Sequence, residues 1–344
     1  MRRVALLLVT VLGGLAAAWV TGADPDQIVT YSAYPFVTAA LLAIGLYGST
    51  YGIDLAHARR DGRLIFLAVT VGVVFKALLI GGVLALAWRD PLFLLLGIVV
   101  AQIDPLSVAA AIGDTRMSER AKAILAAWAS FDDPLTVLLA VSAAGVVGSV
   151  RGHAGESIAT GLLAYAGELA ANLALAAGVF LAYRLGPKRS WWEAVLLVIA
   201  AAVAVWQLWL LAIALIGLFV RPRRLTAVLP RLVDVALGGA LLLLGALLLG
   251  GVDPLRGLSL GLAAFAAQWV AAALLTRGLP APDRRQLGFA QQNGITAIVL
   301  GLRLEPTFRG VISVVAPAIL VTNVTHFIAN RWLDGRPRPL SPPK

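Results

Sequence analysis

Apolar runs of membrane-crossing length recur from one end of the chain to the other. A helix in a bilayer needs about 20 such residues, because its backbone polar groups must be satisfied inside the helix itself. The runs fall at 4–20, 31–53, 64–88, 92–112, 121–149, 156–184, 232–250, 258–276, 287–302 and 311–330. Composition agrees with them. Of 344 residues, 60% are hydrophobic and 13% charged, against roughly 25% charged in a soluble domain. A surplus of that size cannot be hidden in one globular core. The expected class is an all-α integral membrane protein, multi-pass in a cell membrane, with the lipid bilayer as its solvent.

One stretch, 192–220, is too long for one comfortable span and short for two. Loop charge decides between them. Take the N-terminus as cytoplasmic and this stretch as a hairpin of two short helices meeting near Gln207. Then 22 of the 28 Lys and Arg residues lie inside, five lie outside, and Lys76 lies within a span. A single helix would flip every later loop and leave 14 inside and 13 outside. The positive-inside bias selects the hairpin. The expectation is about twelve spans in one unit over 1–333, with both termini cytoplasmic. The same rule accounts for the net charge of +10 better than a nucleic-acid partner does. Span 1 has a rival reading as a cleavable signal peptide, since Met-Arg-Arg precedes its apolar run. The proline-rich basic tail, 334–344, reads as disordered.

The chain has no cysteine, so disulfides, thiolate metal sites and cysteine catalysis are excluded. Its three histidines stand far apart, which disfavours a zinc site. No cofactor is expected. Tryptophans near span ends, such as Trp88, Trp191, Trp192 and Trp332, read as interface anchors.

Against this background a few ionisable residues stand out, because a charge at mid-bilayer costs about 2.5–3.5 kcal/mol on insertion scales. They are Lys76 in span 3, Asp104 in span 4, Asp132 and Asp133 in span 5, and Glu168 in span 6. Four acids cannot all pair with one base. The adjacent aspartates repel each other and both lose solvation, so the pair must be neutralised by a proton or a cation, and not comfortably by both. That competition is the minimum chemistry of an antiporter. Pro105 follows Asp104 and Pro134 follows Asp133, so an interrupted helix is expected at each acid. In span 11 the run Ala290-Gln291-Gln292-Asn293-Gly294-Ile295-Thr296 reads as another break. Broken backbone at membrane depth lines ion sites in secondary transporters. Spans 3–5 and 10–12 lie seven apart, an odd number, so they run in opposite directions as an inverted repeat does.

These features resemble the monovalent cation/proton antiporter superfamily over roughly 30–330. The motifs that carry the resemblance are Gln102-Ile103-Asp104-Pro105-Leu106-Ser107 and Ser130-Phe131-Asp132-Asp133-Pro134, with the glycine-containing span 11 in support. The resemblance implies the sodium/proton antiporter-like fold, with two broken helices that cross. It implies core helices over roughly 64–184 and 258–330, scaffold helices over 1–53 and 192–250, elevator-like alternating access, and a homodimer. It makes Asp133 the main carrier of cation and proton, with Asp132 and Asp104 beside it in the ion site. Thr136, Ser130, Gln292 and Asn293 are supporting candidates. The base that the family often carries in span 10 is missing from Phe265–Val270, and Trp128-Ala129 stand where electroneutral members often have Glu-Ser. Lys76 is a candidate substitute for that base, paired with Asp132 or Glu168. Glu168 and Asn172 share a face of span 6. Thr322, Asn323, Thr325 and His326 form a polar cluster in span 12 that serves either as an interhelical hydrogen-bond set or as a pH sensor.

The expected function is secondary transport: exchange of a monovalent cation (Na+ first, Li+ or K+ as alternatives) for protons, and no enzymatic reaction. A sodium-coupled symporter of an organic anion on the same fold is the second reading. A magnesium-dependent membrane transferase is the third.

Overall fold

A computed structural model describes residues 2–51, 62–104, 108, 117–150, 158–187, 189–223 and 225–334. All regular structure among them is helical. In chain order the helices are α1 (Arg2–Thr21), α2 (Pro25–Thr30), α3 (Tyr34–Tyr51), α4 (Gly62–Trp88, with a π turn at Ala68–Gly72), α5 (Leu92–Ala101), α6 (Glu119–Val150) and α7 (Ile158–Leu185). They continue as α8 (Ser190–Gln207), α9 (Leu210–Gly217), α10 (Leu225–Leu247), α11 (Pro254–Leu275), α12 (Ala281–Gly288), α13 (Ile295–Leu304) and α14 (Val311–Asp334). Seven helical segments among the described residues are long and apolar enough to cross a membrane, and α1, α5 and α13 add shorter apolar ones. Their exteriors are apolar, as at Leu86 (82% exposed) and Trp19 (76%). Lys76, Asp132, Thr136 and Gln291 are fully buried instead. A few buried polar and ionisable groups inside an apolar exterior are the arrangement that lipid selects.

Loop charge located one boundary well. Helix α8 ends at Gln207, Leu208 takes a left-handed conformation (φ 62°), and α9 begins at Leu210. The Asn172 Oδ1 atom accepts from the Ala212 N–H (2.9 Å) and so caps the start of α9. With eight residues, α9 is only about 12 Å long. It therefore leaves the second arm of the expected hairpin shorter than a full crossing.

The proline expectation held at one acid and failed at the other. Helix α5 stops at Ala101, and Gln102 is extended (ψ 157°). Helix α6 instead runs unbroken through Asp132, Asp133 and Pro134. A proline inside a helix removes one ladder donor, here the bond to the Ser130 carbonyl, and long membrane helices absorb that loss when neighbours support them. Pro105, Leu106 and Ser107, residues 52–61 and residues 335–344 lie outside the described residues.

Helices α4 and α5 form a hairpin in near backbone contact. A Cβ on Gly97 would strike the Gly81 backbone and the Ala77 carbonyl, and one on Gly81 would strike the backbone of Phe93 and Leu94. Small residues at such a crossing let two helices approach without a hydrophobic driving force between them. Helix α11 lies along α14, α1 along α10, and α3 against α9, α10 and α13. The two interrupted segments, one after α5 and one between α12 and α13, meet in the interior beside α6.

Candidate functional site

The interruptions are joined by hydrogen bonds that each would otherwise lack. The Asp104 N–H donates to the Gln292 carbonyl (2.9 Å). The Gln291 side-chain amide donates to the carbonyls of Val100 (2.9 Å) and Gln102 (2.7 Å), the groups left over where α5 ends. The Asn293 amide reaches the same two carbonyls at 3.1 and 3.4 Å. Open backbone ends inside a membrane protein must be satisfied by protein, and here each break satisfies the other.

Helix α14 pins the second break from behind. The Asn323 side chain donates to the Asn293 carbonyl (3.0 Å) and accepts from its N–H (3.2 Å). His326 donates from Nδ1 to the Phe289 carbonyl (2.7 Å), which leaves Nε2 to accept from the Gln292 amide. Gln268 of α11 donates to the Leu287 carbonyl (3.0 Å), at the end of α12. The polar cluster of span 12 is an interhelical hydrogen-bond set in this geometry.

The acids stand where the two breaks meet α6. Asp132 is fully buried, and its Oδ2 accepts from Lys76 Nζ (2.9 Å) and from the Ile103 N–H (3.2 Å). Lys76, also fully buried, lies 5.3 Å from the centre of the Trp128 ring. Asp133 is 2% exposed, and its Oδ2 accepts from the Thr296 hydroxyl (2.8 Å). Its Oδ1 is buried with no donor among the described residues. The Asp132 and Asp104 charges both act on it. The Asp104 carboxylate lies against Gly294, at the N-terminus of α13, where a Cβ would collide with it. A helix N-terminus is a favourable place for negative charge.

Of the sequence candidates, Lys76, Asp104, Asp132, Asp133 and Asn293 converge on this crossing. Gln292 reaches it through its carbonyl. Thr136 bonds to the Asp133 carbonyl (2.9 Å) and to the Gln102 side chain (3.3 Å), and so ties α6 to the first break. Ser130 is buried one turn before Asp133. Glu168 does not join them. It is exposed on α7, it acts on Arg303, and the partner of Lys76 is Asp132. Three residues that the sequence marked only as members of motifs enter the site here: Thr296, Gln291 and Gln102. Each is polar in an apolar run, which is a signal, but many such residues serve only their own helix.

Solved structures share this architecture, among them two of the sodium proton antiporter MjNhaP1 from Methanocaldococcus jannaschii, one at pH 8 and one from an electron-microscopy map. The first superimposes with a TM-score of 0.74 at 15% identity, covering 96% of this chain and 92% of the other. The second gives 0.68 at 16% identity, covering 95% and 88%. No protein-family model and no curated protein matches the chain. The chain thus has the sodium/proton antiporter-like fold that the resemblance implied.

Proposed function

We propose that the chain exchanges a small monovalent cation for protons by alternating access, with the Asp133 carboxylate as the group both compete for. One observation carries the reading: Asp133 is buried where the two interrupted segments meet α6, beside other acids, with one carboxylate oxygen that meets no donor among the described residues. A buried carboxylate without a counter-charge is too costly to persist, so it holds either a proton or a cation. When a proton arrives, the carboxylate becomes a neutral acid and the cation leaves; deprotonation restores the cation site. Each loaded state neutralises the core and lets it move, whereas the empty charged state does not cross, which prevents leak.

The other acids have supporting parts in this reading. Asp132 holds Lys76, and Asp104 adds negative charge at the start of α13. The organic-anion symporter needs a free cationic group for its substrate, and Lys76 is already engaged by Asp132. Sodium is the first cation to try, with lithium and potassium as alternatives. The fold-sharing MjNhaP1 is itself a sodium proton antiporter, which supports that order.

The test uses proteoliposomes loaded with a pH-sensitive dye under an imposed proton gradient. Sodium, lithium, potassium or choline chloride is added to vesicles carrying the unaltered chain or Asp133→Asn. Collapse of the gradient by one alkali cation, only with the unaltered chain, supports exchange and names the ion. No proton movement with any cation between about pH 6 and 9 would refute the reading, since an antiporter carboxylate must titrate near its working pH.

A further inference from the structure

Thr296 is the second residue of α13, it is 2% exposed, and its hydroxyl leaves its own helix to donate to Asp133 Oδ2 at 2.8 Å. It joins the second interrupted segment to the acid on α6. The consequence for Asp133 is an asymmetric carboxylate: Oδ2 is held by a fixed donor, while Oδ1 is buried and meets no donor among the described residues.

We propose that Thr296 is a positioning residue that makes Asp133 Oδ1 the single exchange atom of the site. This rests on the exchange reading above. The Thr296 hydroxyl can donate to Oδ2 whether the group is ionised or carries its proton on Oδ1, so the carboxyl plane stays fixed through the cycle. Proton and cation then meet at one atom, and occupancy by one excludes the other. The two competitors depend on this fixing to different extents. A proton binds equally well to either oxygen of a carboxylate that turns. A cation needs its oxygen ligands held at set distances, and a turned carboxylate no longer completes the shell. Removing the hydroxyl should therefore weaken the cation more than the proton.

The experiment compares Thr296→Val, which keeps the shape without the hydroxyl, with Thr296→Ser, which keeps the hydroxyl. Initial rates are measured against cation concentration and pH in the same proteoliposomes at matched protein. For the valine variant the expected result is an apparent KM for the preferred cation raised about tenfold, the size of losing one charge-assisted hydrogen bond. Its maximal rate should stay within about twofold, and its activity profile should move to more alkaline pH as the proton competes better. The serine variant should restore KM and profile. Should Thr296→Val not be recovered folded, Thr296→Ala against Thr296→Ser decides the same question. A lowered maximal rate with unchanged KM and pH profile, or a serine variant as impaired as valine, overturns the positioning role. Two controls in the same vesicles separate the ideas: exchange that persists in Asp133→Asn defeats Asp133 as the exchange group, and no exchange with the unaltered chain defeats the exchange reading itself.

Discussion

Asp132 and Asp133 are neighbours in sequence, both are buried, and both project from one unbroken helix, yet they are partnered differently. Asp132 faces α4 and the first break, and its Oδ2 meets the Lys76 ammonium and the Ile103 N–H. Asp133 faces the second break, and among the described residues its Oδ2 meets a neutral hydroxyl and no cation. Successive helical residues point about 100° apart, so one step along α6 exchanges a cationic neighbour for an uncharged one. An ion-paired carboxylate has its charge compensated by the protein; an uncompensated buried one needs a proton or a cation. The difference between the two acids is therefore made by α4 and α13, not by the acids.

The largest effect should come from Asp133. Asp133→Asn should reduce exchange to the background of empty vesicles, while thermal unfolding of the purified protein stays close to that of the unaltered chain, since no ion pair is broken. A melt collapsed as severely as the transport would instead place Asp133 among the structural pairs.

Next in size is the pair beside it. Removing one partner by Lys76→Met or Asp132→Leu should destabilise by about 3–5 kcal/mol, because a buried charge is left alone. The double variant should recover most of that loss, and a double-mutant cycle on unfolding midpoints measures the recovery. Additive losses would mean that the pair is not the unit the 2.9 Å contact implies.

A smaller effect is expected at Gly294, where a Cβ would collide with the Asp104 carboxylate. Gly294→Ala should cost about 1–3 kcal/mol by overpacking and displace Asp104 from α13, slowing exchange without abolishing it. The smallest effect should come from Gln291→Leu, about 1 kcal/mol, because the Asn293 amide still reaches the carbonyls of Val100 and Gln102. A loss as large as that of Lys76→Met would show that the two amides do not substitute for each other.

How much of this could be read from sequence varies by feature. The break after α5 was legible because Asp104-Pro105 sits in an apolar run, and the break before α13 because Gln291–Gly294 does. The same reasoning expected a break at Asp133-Pro134, where α6 continues through the proline. A proline removes one donor, and whether the helix yields depends on packing around it. Glu168 looked equivalent to the other intramembrane acids, yet it lies exposed on α7. Thr296 was visible only as one polar letter in a run, since its partner stands 163 positions away.

By itself the sequence determined the solvent, the all-helical class and the order of the apolar runs, and which residues carry charge where charge is costly. Hydropathy, loop charge and proline position act locally or sum along the chain, so they survive without three-dimensional information. Only the tertiary structure decided which oxygen meets which donor: Asp132 with Lys76, Asp133 with Thr296, and the carbonyls of Val100 and Gln102 with Gln291 and Asn293. Those pairings depend on where distant helices cross and on the angle at which each side chain leaves its backbone, and neither is written in local order.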